Sequence, residues 1–306
     1  MYDYETVLAA VAPLDAIERV RDGFVRYESG EWGMPPKVYL AVPPAGDFRA
    51  MPAKGGGLAI LKWVTSFPGN PARGLPVVMG MICVSSAETG EPLALVDVRA
   101  VTALRTGAVA AVAAQELARE DASSVGMIGC GLHGAWAARC LAAAEFGPGV
   151  CFDLDPEAAG ALAGELGWEA GARDDALACD IVTCVTPGHE PVVGAGDLHP
   201  GVHLNMLGAD GPGKAEAELD AIERCRLFCD EWAQASHGGE LTGAVSAGRV
   251  TREDVTDLGA VLTGKAEGRT APDEITLFDS TGLAIQDLAL CHAVLEAAAK
   301  VPTIRL

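Results

Sequence analysis

A glycine-rich segment near the middle of the chain has the residue types and spacing that bind a dinucleotide. Gly129, Gly131 and Gly134 form a G-x-G-x-x-G pattern directly after the apolar run at 125–128, and helix-forming residues follow. The first glycine permits a tight turn, the second lets the backbone approach a pyrophosphate, and the third allows close packing of the helix. Because the first turn of a helix has free N–H groups, it attracts phosphate. The segment therefore predicts a nucleotide-binding loop.

An acidic residue after the next predicted strand supports this interpretation. Asp153 lies 24 positions after Gly129, where a carboxylate can accept hydrogen bonds from the adenosine ribose hydroxyls. A carboxylate there also repels the additional phosphate of NADP, so we predict NAD as the cofactor, with Asp155 as the second choice for this acid. Leu132 and His133 lie between the glycines and are predicted to line the same cofactor, although His133 is more typical of a solvent-facing loop residue than of a catalyst.

The segments before this loop predict a separate, partly β-structured domain. Apolar residues recur at helical spacing from Leu14 to Phe24, and Gly30 follows where a helix would end, so we expect an amphipathic helix first. The β-rich segments that follow indicate a meander or a small open barrel, and an Ala-rich helix spans about 101–118. The predicted strands of this part are 38–42, 58–67, 77–84 and 93–96.

From Ser124 onward, the pattern changes to short apolar runs that alternate with helical segments. This alternation predicts βα units on a parallel sheet, whose strands are apolar on both faces because helices cover both. A final apolar helix is predicted at 283–299. The predicted fold class is α/β, with a Rossmann-type doubly wound parallel sheet domain and a second, α+β domain. The predicted strands of the parallel sheet are 125–128, 150–152, 181–185, 202–206, 227–229 and 275–278.

Composition limits the classes of partner. With 306 residues, half of them hydrophobic, the chain can form two cores of ordinary size. A formal net charge of −20, from 42 acidic and 22 basic residues, opposes binding to nucleic acid or to an anionic membrane surface. The N-terminus has no signal-peptide pattern, and no apolar run approaches the roughly 20 residues that cross a bilayer. We therefore expect a cytoplasmic protein without nucleic-acid or membrane partners.

The nine cysteines predict neither a disulfide framework nor a metal site. No two of them form C-x-x-C, and Cys83, Cys151 and Cys184 lie in apolar stretches where buried, reduced thiols are usual. His237 and Glu240 are interpreted as structural, because the sequence supplies no further metal ligands beside them. No metal is predicted.

Segments spread over nearly the whole chain resemble the ornithine cyclodeaminase and mu-crystallin superfamily, and within it the archaeal-type alanine dehydrogenases. Ordered coverage of this kind is far more specific than the glycine pattern alone. The segments are MPPKVYL (34–40), DFRAMPA (47–53), LKWVTSFPGNPARGLP (61–76), ETGEPLALVD (88–97), TALRTGAVAA (102–111), GADGPGK (208–214), HGGEL (237–241) and EITLFDSTGLAIQDLA (274–289).

This resemblance implies a particular division of the chain. Residues 1–119 and 283–306 would form a discontinuous domain for substrate binding and dimerisation, and residues 120–282 would form an inserted NAD-binding Rossmann domain. In the family, the substrate lies in the cleft between the domains beside the nicotinamide, and homodimers form through the non-Rossmann domain.

The resemblance also implies roles for basic residues in the first part of the chain. Lys37, Arg49 and Lys62 match the cations around the substrate carboxylate and the reacting carbon, with Lys37 and Lys62 as catalytic residues and Arg49 as a substrate ligand. A carboxylic acid in a partly dry cleft must be paired by such cations. Arg105 matches an arginine that faces the substrate, and Thr106 matches a threonine that approaches the cofactor phosphates.

Further roles are implied for loops after the predicted strands, where open α/β sheets carry their active sites. Asp210 matches the acid that handles water or proton transfer. Thr186 would flank the nicotinamide half of the cofactor. Ser280 and Thr281 would meet the nicotinamide carboxamide or the substrate.

The function that the resemblance implies is that of an NAD-dependent amino acid dehydrogenase, with alanine converted reversibly to pyruvate and ammonia through an imine. An ornithine or lysine cyclodeaminase is the first alternative. Cyclodeaminases resemble this chain less at two positions, because they have an arginine where Lys37 stands and a glutamate where Arg49 stands. A cyclic imine (ketimine) reductase stays open. A cofactor-dependent protein that only binds a small ligand would need a wide aromatic pocket, and aromatic residues make up 5% of the chain.

Overall fold

The computed structural model describes residues 1–188, 190–211 and 213–297, and the chain divides into two compact units. Unit 1 contains Met1–Arg105 and the segment that begins at Leu283, and unit 2 is Thr106–Gly282. The division between Arg105 and Thr106 falls inside a helix, whereas the sequence predicts a boundary at 119/120. Of the predicted segment 283–306, residues 298–306 lie outside the part that the structure describes.

The helices and strands follow one another in two groups. As far as the end of the helix that joins the units, they are α1 (Tyr4–Ala10), α2 (Pro13–Glu28), β1 (Val38–Val42), β2 (Gly46–Gly55), β3 (Leu58–Ser66), a 3-10 turn (Asn70–Arg73), β4 (Val78–Ser86), β5 (Pro92–Asp97) and α3 (Val98–Leu117). The rest are β6 (Val125–Ile128), α4 (Leu132–Ala143), β7 (Gly149–Phe152), α5 (Pro156–Leu166), β8 (Glu169–Ala170), α6 (Arg173–Leu177), β9 (Ile181–Cys184), β10 (His203–Met206), α7 (Leu219–Ile222), β11 (Arg226–Cys229), α8 (Trp232–Gly238), α9 (Thr242–Ser246), a 3-10 turn (Arg252–Asp254), β12 (Val255–Asp257), α10 (Leu258–Leu262), β13 (Thr276–Asp279) and α11 (Ala284–Ala297).

Unit 1 is built on an antiparallel meander in the order β1-β2-β3-β4-β5, in agreement with the predicted meander. β2 is not among the predicted strands, because Gly46, Pro52 and Gly55 interrupt its pattern. Alternate residues on β2 and β3 face a buried side, on which Met51 lies opposite Lys62. α11 packs on this side of the sheet and against α2.

The predicted amphipathic helix is α2, and it is not the first helix, because the unpredicted α1 precedes it. Ile17, Val20 and Phe24 are buried in α2, but Leu14 at its first turn is 55% exposed. The apolar spacing therefore predicts the helix correctly, but Leu14 does not belong to its buried face. Gly30 adopts a φ of +79° directly after the helix, which suits a residue without a side chain.

Unit 2 is built on an eight-stranded sheet in the order β12-β11-β13-β10-β9-β6-β7-β8, and every strand pair is parallel. This confirms the predicted α/β fold class and each strand predicted after Ser124. The two edge strands, β8 and β12, were not predicted because they have only two and three residues. β6 is the first strand of this sheet in chain order. β7 and β8 are added on one side of it, and β9 and the later strands on the other. The glycine loop directly follows β6, at this change of side.

The centre of this sheet is more polar than its sequence pattern predicts. His203 and Asn205 on β10 are fully buried, and His203 bonds to Thr276 on β13 across 3.0 Å. Asn205 Nδ2 donates to Thr183 on β9 and to the carbonyl of Ala110 in α3. Burial lowers the pKa of His203 to about 3, so this imidazole is neutral at physiological pH. The polar row joins α3 to the sheet.

Within residues 1–188, 190–211 and 213–297, no helix combines the length and apolar character that a bilayer span requires. The nine cysteines all lie in this part of the chain and are free thiols.

Candidate active site

The glycine loop of unit 2 has the shape that a pyrophosphate requires. Gly129 has a φ of +94°, and a Cβ there would lie 2.5 Å from the carbonyl oxygen of Val185. At Gly134 a Cβ would lie 1.9 Å from the Gly129 carbonyl oxygen, whereas at Gly131 it would meet nothing within 4 Å. The outer glycines are thus required by packing, and Gly131 faces open space where a ligand can approach the backbone.

The helix that follows begins at the same place. Gly131 is the N-cap of the 12-residue α4 and makes no side-chain cap hydrogen bond, so no N-cap side chain stands between an anion and the positive end of the helix. Leu132 is 42% exposed at the first position of α4, and His133 is half-buried in its first turn. These features fit the phosphates of a dinucleotide.

Asp153 directly follows β7 and faces the glycine loop. Its Oδ2 accepts a hydrogen bond from the backbone N–H of Cys130 across 2.6 Å, and its Oδ1 accepts one from the N–H of Asp155. Each oxygen of a carboxylate can accept further donors, so ribose hydroxyls can bind here. Asp155, the second choice, has a different task, because it caps α5 by accepting from Glu157 N.

A buried carboxylate that the sequence analysis did not consider joins two loops at the carboxyl end of the parallel sheet. Glu216 accepts hydrogen bonds from the N–H and the hydroxyl of Thr186 at 2.6 and 2.8 Å, and from Gly208 N at 2.7 Å. Thr186 follows β9, and Gly208 precedes Asp210 in the loop after β10. Burial raises the pKa of Glu216, and the donors from Thr186 and Gly208 oppose that rise.

Glu240 supports Glu216 from the next segment. Its carboxylate accepts hydrogen bonds from the backbone N–H groups of Glu216 and Ala217, which explains the structural role assigned to it. Burial, and then the charge of Glu216, raise the pKa of Glu240 to about 8. His237 bonds to the carbonyl of Ala233 within its own helix. Within the described residues no three His, Cys, Asp or Glu side chains are grouped as a metal site.

The serine and threonine after β13 make contacts that the sequence did not anticipate. Ser280 and Thr281 are 3% and 5% exposed, and their hydroxyls donate to the carboxylate of Asp230. Gly282 N donates to the same carboxylate across 2.8 Å. Their predicted contact with the nicotinamide carboxamide remains a prediction, whereas Asp230 clearly fixes this turn.

Asp210, the predicted proton-transfer residue, is partly exposed and has a cationic partner. Lys214 Nζ lies 2.6 Å from Asp210 Oδ1, four residues along the same loop. The contact joins the predicted proton-transfer residue to a cation of the same loop.

In unit 1, Lys62 is a fully buried cation with a carboxylate partner. Its Nζ donates to Asp287 Oδ1 across 2.6 Å, and the two side chains are 1% and 0% exposed. Burial lowers the pKa of Lys62 to about 8, while the charge of Asp287 acts in the opposite direction and that of Arg105 lowers it further. Arg105 Nε lies 4.0 Å from the same Asp287 oxygen, so two of the predicted cations meet at one carboxylate.

Arg49 lies on the same buried side of the sheet as Lys62. Its partner across β3 is Val64, and Lys62 occupies the next position on that face. Arg49 Nε donates to Asp47 Oδ1 across 2.7 Å, and its guanidinium lies over the ring of Tyr39. The strands therefore bring Arg49 and Lys62 to one face. Lys37 is half-buried and comes one residue before β1, and its place beside these two cations stays a prediction. Thr106, in unit 2, is buried in α3.

Comparison with known proteins gives consistent results. The family model for the ornithine cyclodeaminase/mu-crystallin family matches residues 2–301. Alanine dehydrogenase of Archaeoglobus fulgidus is 42% identical over 299 residues, 95% of this chain and 92% of that protein. Ornithine cyclodeaminase of Agrobacterium fabrum is 32% identical and is aligned over 81% of this chain and 72% of its own length.

Solved structures extend this comparison to the fold. An archaeal alanine dehydrogenase dimer with bound NAD superimposes with a TM-score of 0.94 at 40% sequence identity, over 99% of this chain and 98% of that one. The glycine loop and Asp153 thus occur in a fold that is known to hold this cofactor.

Proposed function

Because this chain belongs to the ornithine cyclodeaminase/mu-crystallin family, we propose that it is an alanine dehydrogenase that interconverts alanine with pyruvate and ammonia through an imine. The chain is an NAD-dependent oxidoreductase of that family. The glycine loop and Asp153 would hold NAD, which would supply the hydride-transfer chemistry of this reaction. The alanine dehydrogenase and the dimer with bound NAD, at 42% and 40% identity, support this choice of reaction.

The observation that carries the proposal is the buried contact of Lys62, Arg105 and Asp287. Two cations and one anion leave a net positive charge in a site shielded from water, and such a charge binds a carboxylic acid strongly. Arg49 on the same face of the sheet adds a planar donor for a carboxylate.

We assign the steps of the reaction as follows. Arg49 and Lys37 pair with the substrate carboxylate, and Arg105 assists from α3. Lys62 polarises the carbonyl or carbinolamine oxygen, and its pKa of about 8 lets it give and take a proton near neutral pH. Asp210 exchanges protons with water or ammonia.

A cyclodeaminase is the second candidate, because relatives with that activity cover most of the chain. Arg49 argues against it. A substrate with a distal ammonium group would be attracted by a carboxylate and repelled by a guanidinium. The same site could also reduce a cyclic imine, since that reaction needs the same carboxylate pairing.

The experiment that separates these functions is a panel of amino and keto acids with NAD and NADP. Nicotinamide absorbance and the identity of the products are measured together. An alanine dehydrogenase forms NADH from added alanine and consumes it with pyruvate and ammonia. A cyclodeaminase would convert ornithine to proline and ammonia without net NADH. If alanine and pyruvate are inert, the proposed reaction is wrong.

Substitutions then test the assigned residues. Lys37→Ala and Asp210→Ala should remove turnover and leave NADH affinity within about twofold, because neither residue is proposed to bind the cofactor. Lys54→Ala is the matched control for Lys37, since Lys54 is an exposed lysine of the same sheet. Normal turnover in either variant would contradict the assignment.

We also propose that the enzyme is a homodimer that associates through the outer face of the unit 1 sheet. Large apolar side chains lie side by side there, with Val38, Trp63 and Met81 on one row of paired residues. An apolar face of this extent is typical of a protein–protein interface, and the archaeal alanine dehydrogenase dimer at 40% identity supports a second copy of this chain as the partner. The exposed residues are Val38 (63%), Leu40 (57%), Leu61 (44%), Trp63 (38%), Met81 (51%), Leu93 (48%) and Leu95 (37%).

A further inference from the structure

A fully buried carboxylate touches the cation that is proposed to polarise the substrate, and no sequence pattern assigned it a role. Asp287 lies in the first turn of α11, and Lys62 lies on β3, 225 residues earlier in the chain. Neither side chain reaches solvent, so water cannot compensate either charge.

Arg105 is a second cation at this pair and approaches Asp287 Oδ1 from α3. Arg49, on the same face of the sheet as Lys62, is already paired with Asp47. Cys291, one turn along α11, is a further titratable neighbour, and burial raises the pKa of its thiol well above the physiological range. Asp287 is thus the carboxylate on which the charge of Lys62 depends.

Asp287 also retains unused hydrogen-bonding capacity. Among the described residues, Asp287 Oδ2 and Arg105 Nε are buried atoms without a hydrogen-bond partner. A carboxylate needed only to neutralise one lysine would not leave an oxygen and a guanidinium nitrogen unbonded at the same place. Such atoms are typical of a site that completes its contacts when a polar ligand binds.

We propose that Asp287 is a positioning residue that keeps Lys62 protonated and fixes its ammonium group for catalysis. The proposal rests on the proposed function for what Lys62 does with its proton. It goes beyond that function because it gives Asp287 control of the protonation state of Lys62.

The groups around Lys62 shift its pKa in opposite directions, and these shifts give the expected effect of removing Asp287. Burial favours the neutral amine, and so does the charge of Arg105, whereas Asp287 favours the ammonium form. Without the charge of Asp287, the amine should lose its proton below neutral pH. A neutral amine polarises a carbonyl oxygen far less than an ammonium group does.

The test measures the protonation of Lys62 directly. The full-length protein is prepared with 13C-lysine, and the Cε signal of Lys62, identified by its loss in Lys62→Met, is followed by NMR between pH 5.5 and 10.5, because a side chain without access to solvent cannot be titrated with a dissolved reagent. In the native sequence the midpoint should lie near pH 8. In Asp287→Asn it should fall by at least one pH unit, a tenfold change in the proton affinity of the amine.

Two controls separate positioning from a merely structural effect. Cys291→Ala disturbs the packing of the same helix without removing a charge, so it should leave the Lys62 midpoint in place. Lys54, an exposed lysine of the same sheet, should give one midpoint in all variants. An unchanged or raised Lys62 midpoint in Asp287→Asn would overturn the proposal.

A second measurement covers the case in which Asp287→Asn does not fold. The double variant Lys62→Met with Asp287→Asn contains no buried charge at this pair, so it should unfold at higher urea concentration than either single variant. If the loss of unfolding free energy in the double variant equals the sum of the losses in the two single variants, the two residues are not coupled and the proposal is wrong.

The pH dependence of activity tests the link to catalysis. The alkaline limb of kcat/KM against pH should move to lower pH in Asp287→Asn by the same interval as the NMR midpoint of Lys62. The NMR titration needs no substrate, so it tests Asp287 even if alanine proves inert. A shifted NMR midpoint with an unshifted alkaline limb would refute the catalytic part of the proposal.

Discussion

Asp153 Oδ2 accepts a hydrogen bond from the backbone N–H of Cys130 across 2.6 Å, so the acid proposed to bind the ribose also holds the glycine loop. One side chain thereby couples the shape of the phosphate site to the choice of cofactor. Removing its charge and removing its hydrogen bond should have different effects.

Asp153→Asn keeps an acceptor for Cys130 N but removes the negative charge. We expect the ratio of kcat/KM for NADP to that for NAD to rise at least tenfold, because repulsion of the additional phosphate disappears. Asp153→Ala also loses the loop contact, so the KM for both cofactors should rise. Steady-state kinetics with each cofactor measure both effects.

Asp155→Ala is the control for this comparison. It removes the N-cap of α5, which costs about 1 kcal/mol of stability, but it should leave the cofactor ratio unchanged. If Asp155→Ala changes the ratio and Asp153→Asn does not, Asp155 is the ribose ligand.

Glu216→Gln tests whether the buried carboxylate positions the loops after β9 and β10. Glutamine has one acceptor oxygen, and its amide nitrogen would face an N–H group of Thr186 or Gly208. One loop should therefore lose its anchor, and the dissociation constant of NADH should rise about tenfold, the effect of one unsatisfied buried donor. Quenching of protein fluorescence or binding calorimetry gives this constant. Glu218→Gln, an exposed neighbour, should bind NADH normally, and equal affinity in the two variants would contradict the role of Glu216.

The raised pKa of Glu240 should make the free energy of unfolding depend on pH. Burial raises its pKa from 4.5 to about 8, so between these values the folded protein holds a proton that the unfolded chain releases. Stability from this group is complete below pH 4.5 and is lost as the pH rises through 8. Glu240→Gln imitates the protonated acid, so its unfolding free energy in urea should fall less between pH 5.5 and pH 8 than that of the native sequence. A fall as steep as the native one would exclude Glu240 as its source.

Trp63→Glu tests the apolar face of the unit 1 sheet. A carboxylate at the centre of a packed apolar interface is unpaired, so the variant should be a monomer where the native sequence is a dimer. Light scattering coupled to gel filtration gives the mass of each. Leu14→Glu changes an apolar residue that is similarly exposed on α2 and should remain a dimer. A dimeric Trp63→Glu protein, or a monomeric native one, would refute this interface.

The elements with strong periodicity were predictable from the sequence. The run at 125–128, the glycine loop and the strands that follow have patterns set by local geometry, and all are present. β2 was not predicted, because glycine and proline are tolerated there only through its pairing with β1 and β3. The family resemblance identified Arg49 on that strand although the strand itself was missed.

The buried carboxylates could not be predicted from local pattern. Asp287 lies in a helix that is apolar throughout, and only its contact with Lys62 explains an acid at that position. Glu216 likewise depends on donors from Thr186 and Gly208, 30 and 8 residues away. The one available signal is an acidic residue within an apolar segment. Burial of its charge is unfavourable without a partner, so such a residue indicates a contact with another part of the chain.

The discontinuity of unit 1 has a consequence for biosynthesis. Unit 2 is one uninterrupted stretch, so it can fold as soon as it leaves the ribosome. The meander emerges first but must wait for α11, which packs on its buried face and carries the counter-ion of Lys62. Until translation reaches that helix, the nascent meander lacks the cover of its buried face, and Lys62 lacks its counter-ion.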